Sequence, residues 1–328
     1  MSRQIDNEYV LDCLQRWGNH CSVAFLDPTC QFFGLNHIDG VIGYRTHGNK
    51  AVIFGDPASE LQDQIHLMRA FHDYCKQHNK SIICIGSSAP FAHQLLEHNI
   101  CASALAVGNE ILLDARIDPT KHRGADGSSL RNKWCYSIRR GLMVHEYTGH
   151  DATLEQKFEA LHGQWLAARK GPQIYLAQTE LFTHRKYRRL FYATHQDNVV
   201  GLLILTQLKS QQGFVINVLM LAPNAPTTTS EFIILSVLQQ LAQEGPLTLS
   251  AGLIPQAHLD SIYGFGTIVQ WLAKKMYSVA YKRYKLHRKQ QYWKKFAPVK
   301  KELFVLFERQ RVSIHDTMSI LHALHAIK

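Results

Sequence analysis

Four stretches of this sequence hold residue types that could do chemistry. In AVIFGDP, residues 51–57, an apolar strand stops at Gly-Asp-Pro and leaves Asp56 at its mouth, where it could bind a ligand amine or orient a partner. A plain turn, with the carboxylate bonded to nearby amides, is the competing reading. In SSLRNKWCYSIRRG, residues 128–141, Arg131, Lys133, Arg139 and Arg140 surround Trp134 and Tyr136. Arg131 and Arg139 are eight apart and share one face of a helix, and guanidinium groups make bidentate contacts with phosphate. The alternative is an amphipathic helix with snorkelling cations. In APNAPTTTSEF, residues 222–232, a turn runs into an apolar helix, whose free N-terminal amides favour an anion. Glu231 in this stretch stands three residues after Thr228, the spacing of a capping box, so a plain helix cap is the competing reading there.

The fourth stretch is defined by charge. The net charge is +10, and residues 1–150 carry 14 Lys/Arg against 15 Asp/Glu, whereas residues 151–328 carry 22 against 11. From Lys274 to Lys301 there are eleven cations, Lys294 and Lys295 among them, and no acidic residue. Tyr277, Tyr281, Tyr284, Tyr292 and Trp293 are interleaved with them. Cations beside aromatics suit phosphates, whether of RNA or of anionic lipid head groups; a solvated helix face is the bland alternative.

Other chemistries lack their signatures. There is no H-E-x-x-H, P-loop, G-x-S-x-G or G-x-G-x-x-G, so metal, ATP and nicotinamide chemistry are disfavoured. The seven cysteines, all in the first half, include no C-x-x-C and support neither a zinc site nor a disulfide framework. The N-terminal residues lack the apolar core of a signal peptide, and VVGLLILTQL, residues 199–208, is about half the ~20 residues of a membrane-spanning helix. A cytoplasmic chain without spans is expected.

These stretches must be positioned by alternating strands and helices. QFFGLNHIDGVIGYRTHGNKAVIFGDP reads as strands joined by Asp-Gly and Gly-Asn turns, Ile65, Met68, Phe71 and Cys75 mark a helix, and SIICIG and EILLDAR read as strands. The second half repeats the order. Leu154, Phe158, Leu161 and Trp165 mark a helix, VVGLLILTQL and FVINVLML are paired strands, EFIILSVLQQLAQEG is a buried helix ending at Gly245, and LTLSAG is a strand. The length also suits about two domains. We expect an α/β protein of two similar halves, 1–150 and 151–328, each with a mixed central sheet, divided near the turn and N-cap residues 148–151.

The order of these pieces resembles the C-terminal domain of the phosphatidylglycerol lysyltransferase (lysylphosphatidylglycerol synthase) family, DUF2156. The resemblance runs through QFFGLNHIDGVIGYRTHGNKAVIFGDP, SSLRNKWCYSIRRG, FEALHGQWLAARK, LMLAPNAPTTTSEFIILSVLQQLAQEG with LSAGLIP, and YKLHRKQQYWKKFAP, about residues 20–307. It implies two tandem GNAT-like acyltransferase domains that move an aminoacyl group from aminoacyl-tRNA to phosphatidylglycerol or a related hydroxyl or amine. No cofactor is implied beyond the aminoacyl-tRNA donor, whose ester is already activated. The partners implied are that tRNA and an anionic phospholipid at the inner membrane face. Carried over by position, Asp56, Arg131, Glu231, Lys294 and Lys295 match charged positions in the family's motifs; we expect Asp56 and Glu231 to be catalytic, and Arg131, Arg139, Arg140, Tyr292, Lys294 and Lys295 to bind substrate. The sequence departs from the family pattern at Val218 and Leu221, where an acidic residue and an Arg are usual, at Ile254-Pro255-Gln256, and at Val299, where a Trp commonly follows the Pro. Two alternatives remain. One is an acyl-CoA-dependent N-acyltransferase, whose glycine-rich pyrophosphate loop is not found; the other is a non-catalytic module binding tRNA or membrane.

Overall fold

The computed structural model describes residues 5–169, 176–177, 180–245, 247–283 and 285–327. Tyr284 of the basic stretch lies outside them. In chain order the elements are α1 (Asn7–Trp17), β1 (Gln31–Phe33), β2 (Gly40–His47), β3 (Lys50–Phe54), β4 (Ala58–Ser59), α2 (Leu61–Gln77), β5 (Ser81–Ser88), α3 (Ala89–Glu97), β6 (Ser103–Asp114), α4 (Ala125–Arg139) and β7 (Met143–Glu146). There follow α5 (Ala152–Ala168), β8 (Arg188–His195), β9 (Asn198–Leu208), β10 (Gly213–Leu221), α6 (Thr229–Glu244), β11 (Thr248–Pro255), β12 (Ile262–Tyr263), α7 (Thr267–Arg283), α8 (His287–Lys294), β13 (Val299–Phe307) and α9 (Ile314–Ala323).

The strand-forming runs are apolar throughout because both faces of the sheet are covered. Along β5, Ile82 and Cys84 face one layer, with Met68, Phe71 and Phe91 of α2 and α3, while Ile83 and Ile85 face the other, with Val10 and Leu14 of α1. Along β9, Leu203 and Leu205 pack under Ile233, Leu238 and Leu241 of α6, and Leu202 and Ile204 pack against Phe158 and Leu161 of α5. This is the two-residue period of a strand read against helices on each side. Asp151 caps α5 by accepting from Thr153 N and Leu154 N at 2.9 and 3.1 Å, and Gly245 ends α6 with a φ of 144°.

Contrary to the expectation that each half carries its own mixed sheet, the strands of residues 1–150 and 151–328 interleave in one continuous sheet. Its path is β1-β2-β3-β5-β13-β6-β11-β10-β9-β8-β7, with β4 on β2 and β12 on β6 as side pairs. The pairs β3·β5 and β10·β11 are parallel and the others antiparallel. Five pairings cross residue 150, β11 and β12 on β6 among them. β7 joins β8, and β13 lies between β5 and β6, with Leu306 opposite Cys84 on one side and Ala104 on the other. Among the described residues no helix is long and apolar enough to cross a membrane.

Candidate functional site

Around the middle of the sheet the strands stop matching residue for residue. The register skips Gly86 in β5 and Val107 in β6 where each pairs with β13, Asn217 in β10 opposite β9, and Ala251-Gly252 in β11 opposite β6. Each such bulge bends its strand and frees backbone groups from the ladder. All five residues line one cavity of about 480 Å³. That size suits a small-molecule or acyl site. Its wall is mostly apolar, including Val23, Ile85, Val215, Val218, Leu253 and Val305, and polar groups enter from His20, Cys21, Asn217, Glu180, Arg188 and Lys289. Val218, one of the departures from the family pattern, is thus part of this apolar wall. Among the described residues, the side-chain oxygen of Asn217 is buried without a hydrogen-bond partner.

His20 and Cys21 open a short 3-10 segment, His20–Leu26, fixed at its start by Asn19, whose Oδ1 accepts from Cys21 N and Ser22 N at 2.9 and 3.2 Å. Opposite, Gly86 takes a φ of 70°, and a Cβ there would lie 2.1 Å from the Cys21 sulfur. Glycine is needed both for the left-handed backbone and for this approach. His20 Nε2 lies 3.1 Å from Cys21 Sγ, and its Nδ1 lies 3.6 Å from Glu110 Oε1, inside ion-pair range but too long for a hydrogen bond. Glu110, buried on β6, accepts from Ser250 Oγ at 2.7 Å and from Gln211 Nε2 at 3.3 Å. Burial lowers the His20 pKa, with Glu110 opposing. Burial likewise pushes the Cys21 thiol far up, with Glu110 and Asp56 adding. The result is a neutral imidazole on a cavity wall with a carboxylate behind it, an arrangement that can accept a proton from a hydroxyl or amine.

Asp56 does not line the cavity. Its Oδ1 accepts from Ser88 N at 2.9 Å, an amide 32 residues further along the chain and not one of its own turn. Burial raises its pKa to about 6 against the opposing Ser88 bonds, and Glu110 adds to the rise.

Glu231 also lies away from the cavity, in a separate ion cluster under α6. The capping box does not form: Thr228 gives no side-chain cap and instead accepts from Ser137 Oγ at 2.7 Å. Glu231 is 3% exposed, and its carboxylate accepts from Lys133 of α4, from Lys295 at the end of α8, and from Ser230 Oγ at 2.7 Å. Burial alone would raise the Glu231 pKa, but the two ammonium groups and Ser230 hold it below its ordinary value. The ammonium of Lys295 lies 4.1 Å from the centre of the Tyr292 ring, and burial pushes the Tyr292 hydroxyl well up, with Glu231 adding.

The fold thus brings together Glu231, Lys295 and Tyr292, with Lys133 as a fourth member. It does not bring the arginines to them. Arg131 donates to the carbonyls of Thr120 and His122, Arg139 to the carbonyl of Cys135 at 3.3 Å, and Arg140 sits 5.2 Å from the Tyr136 ring; all three are exposed, as is Lys294. The basic stretch is spread over α7, α8 and the start of β13. Sequence reasoning missed His20, Cys21, Glu110 and Asn217. Three signals were available: an acid within the strand run NEILLDAR, and Gly86 and Gly252 inside or beside strands, where glycine marks bulges.

Fold and site together define a mixed α/β protein, one large sheet flanked by helices with a cavity at the bulges of its central strands. The chain belongs to the family described as phosphatidylglycerol lysyltransferase, C-terminal, which matches residues 14–307. The structure of L-PGS from Bacillus licheniformis is similar over 99% of this chain and 100% of that one, at 15% identity and a TM-score of 0.78. A C-terminal DUF2156 domain from Agrobacterium fabrum is similar over 98% and 95%, at 15% identity and a TM-score of 0.77. FemX shares the fold more distantly, over 94% and 98%, at 8% identity and a TM-score of 0.57. No curated protein sequence matches the chain.

Proposed function

We propose that this protein transfers an aminoacyl group from aminoacyl-tRNA to a lipid hydroxyl, that of phosphatidylglycerol or a related hydroxyl or amine acceptor, at the inner membrane face. Membership of the family supports the class of reaction. The observation that carries the chemistry is His20 on the cavity wall with Glu110 behind it. In this reading His20 takes the proton of the acceptor hydroxyl as its oxygen attacks the ester carbonyl, and returns it to the departing 3′ oxygen of the tRNA. Glu110 positions the ring and favours its charged form in between. Backbone amides freed at the bulges are the candidates for holding the oxyanion. The apolar wall suits the chain-bearing part of a lipid, the exposed cations of the second half suit the tRNA phosphates, and the halves 1–150 and 151–328 act as two domains around the cavity.

The test is incubation of the purified protein with a pool of charged tRNAs and phosphatidylglycerol vesicles, followed by mass spectrometry of the lipids. A lipid heavier by one aminoacyl residue is expected. Folded protein that deacylates no tRNA and modifies no lipid would sink the reading.

A further inference from the structure

α7 is built inside out. Its inner face is polar: the Tyr277 hydroxyl donates to the carbonyls of Val107 and Gln256 at 3.1 and 2.8 Å, and Gln270 Nε2 donates to the Phe265 carbonyl at 2.8 Å. The Tyr281 hydroxyl donates to Gln290 Oε1 at 2.8 Å and ties the helix to α8. Its outer face is apolar. Ile268, Leu272, Met276 and Val279 fall on one side at helical spacing and are 82%, 48%, 65% and 62% exposed. Trp271, 61% exposed, lies along the edge of this stripe with the Lys275 ammonium 4.9 Å from its ring. Lys274, Lys275, Lys282 and Arg283 are exposed beside it.

Soluble proteins rarely leave so many large apolar side chains in one exposed line. We propose that α7 is a membrane-surface helix, seated on an anionic bilayer by its outward apolar stripe and the cations along its edge. An exposed apolar face with Trp and flanking Lys/Arg is the pattern of helices that lie in the interface. At 17 residues the helix is about 25 Å long, and two lysines stand at its middle, so it lies along the bilayer and does not cross it. Charge selects the occupant. A second copy would bring the same cations against these, whereas anionic lipid head groups neutralise them. RNA would match the cations but not the aliphatic stripe, since bases stack on aromatic rings.

The placement also has a use. Tyr277 holds α7 to the backbone of Val107, which lines the cavity, so a helix seated on the bilayer keeps that wall beside the lipid. The proposal rests on the reading of a lipid-directed transferase for its purpose, but its test reads binding and not transfer.

The test is cosedimentation of the full chain with vesicles of phosphatidylcholine alone and of phosphatidylcholine mixed with phosphatidylglycerol. Wild type is expected on the mixed vesicles, with about tenfold or more weaker binding to the neutral ones. Ile268→Ser/Met276→Ser/Val279→Ser and, separately, Lys275→Glu/Lys282→Glu should each lose binding with an unchanged circular dichroism spectrum and melting curve. Should either variant melt early, Trp271→Phe gives the second readout: the emission difference between wild type and Trp271→Phe should shift to the blue on mixed vesicles only. Wild type that ignores the mixed vesicles, or a triple variant that binds them equally well, overturns the proposal. So does a wild-type dimer in light scattering that the triple variant splits, which makes the face an interface between copies, or loss of tRNA binding in the triple variant, which makes it an RNA surface. Vesicle binding without lipid modification leaves the α7 assignment standing and removes the transfer reading alone.

Discussion

Lys295, at the end of α8, reaches the buried carboxylate of Glu231 on α6, 64 residues earlier in the chain. Lys133 of α4 meets the same oxygen, so one acid fastens three helices. Glu231→Gln leaves two ammonium groups facing a neutral amide, one of them largely buried. We expect a loss of about 3 kcal/mol in urea unfolding, the scale for removing one partner of a buried ion pair. Because the folded pKa of Glu231 is depressed, the stability it contributes is present above the ordinary carboxylate range and is lost as pH falls through the lower folded value. The wild-type and Gln curves should therefore converge in acid. Curves that stay equally far apart down to the acid limit would show that the loss does not come from the ionised carboxylate.

Asp56 has the opposite sign. Its pKa of about 6 lies above that of an unfolded aspartate, so the folded state holds the proton more tightly. Ionisation costs stability as pH rises from about 4 to about 6, and the cost is constant above that. Asp56→Asn keeps an oxygen for Ser88 N and removes this cost. Relative to wild type it should gain about 1–2 kcal/mol between those pH values in denaturant titrations. A difference between the two that does not change with pH would contradict the assignment.

His20→Gln should lower the rate of aminoacyl transfer by about 10²–10⁴-fold with little change in melting, the range for loss of a positioned base. Since burial depresses the His20 pKa, the acid limb of kcat/KM should lie below the ordinary histidine value of about 6.5. Glu110 favours the imidazolium, so Glu110→Gln should move that limb further toward acid. An unmoved limb would assign it to another group.

Lys294 and Lys295 are neighbours in sequence but not in role. Lys294 is exposed, whereas Lys295→Glu would set a second acid against Glu231 and destabilise the chain. The exposed Lys294, Lys300 and Lys301 are the residues to change. Their reversal to Glu should weaken tRNA binding and flatten log K against log salt by about 0.7–0.9 for each phosphate that is no longer neutralised. An unchanged slope with an unchanged melting curve would mark them as a solvated face.

Most of the fold was legible because its layers impose simple periods. β5 and β9 read as unbroken apolar runs, and Asp151 and Gly245 mark helix ends by side chain and by backbone. Residues 274–301 were readable as a charge pattern but not as structure, because helix, turn and strand share one composition there. The pairing of Glu231 with Lys295 depends on where α8 docks, and local spacing carries no information on that. The capping-box spacing of Thr228 and Glu231 pointed elsewhere, since an N3 glutamate turns away from the cap when two lysines offer a full charge. His20 and Cys21 became a site only when long-range pairing set them against Gly86 and Glu110.

β13 sits between β5 and β6, although it starts only at Val299 in the chain, long after β5 ends at Ser88 and β6 at Asp114. During synthesis the first half therefore emerges with a gap in its sheet and two unpaired strand edges, and stays so until residue 307 has left the ribosome. Long-range closure of this kind slows folding and exposes edges to wrong partners. A chain cut before residue 299 should accumulate as aggregate, and supplying residues 299–328 in trans should restore it, because the missing piece is one strand with its own hydrogen-bonding slot.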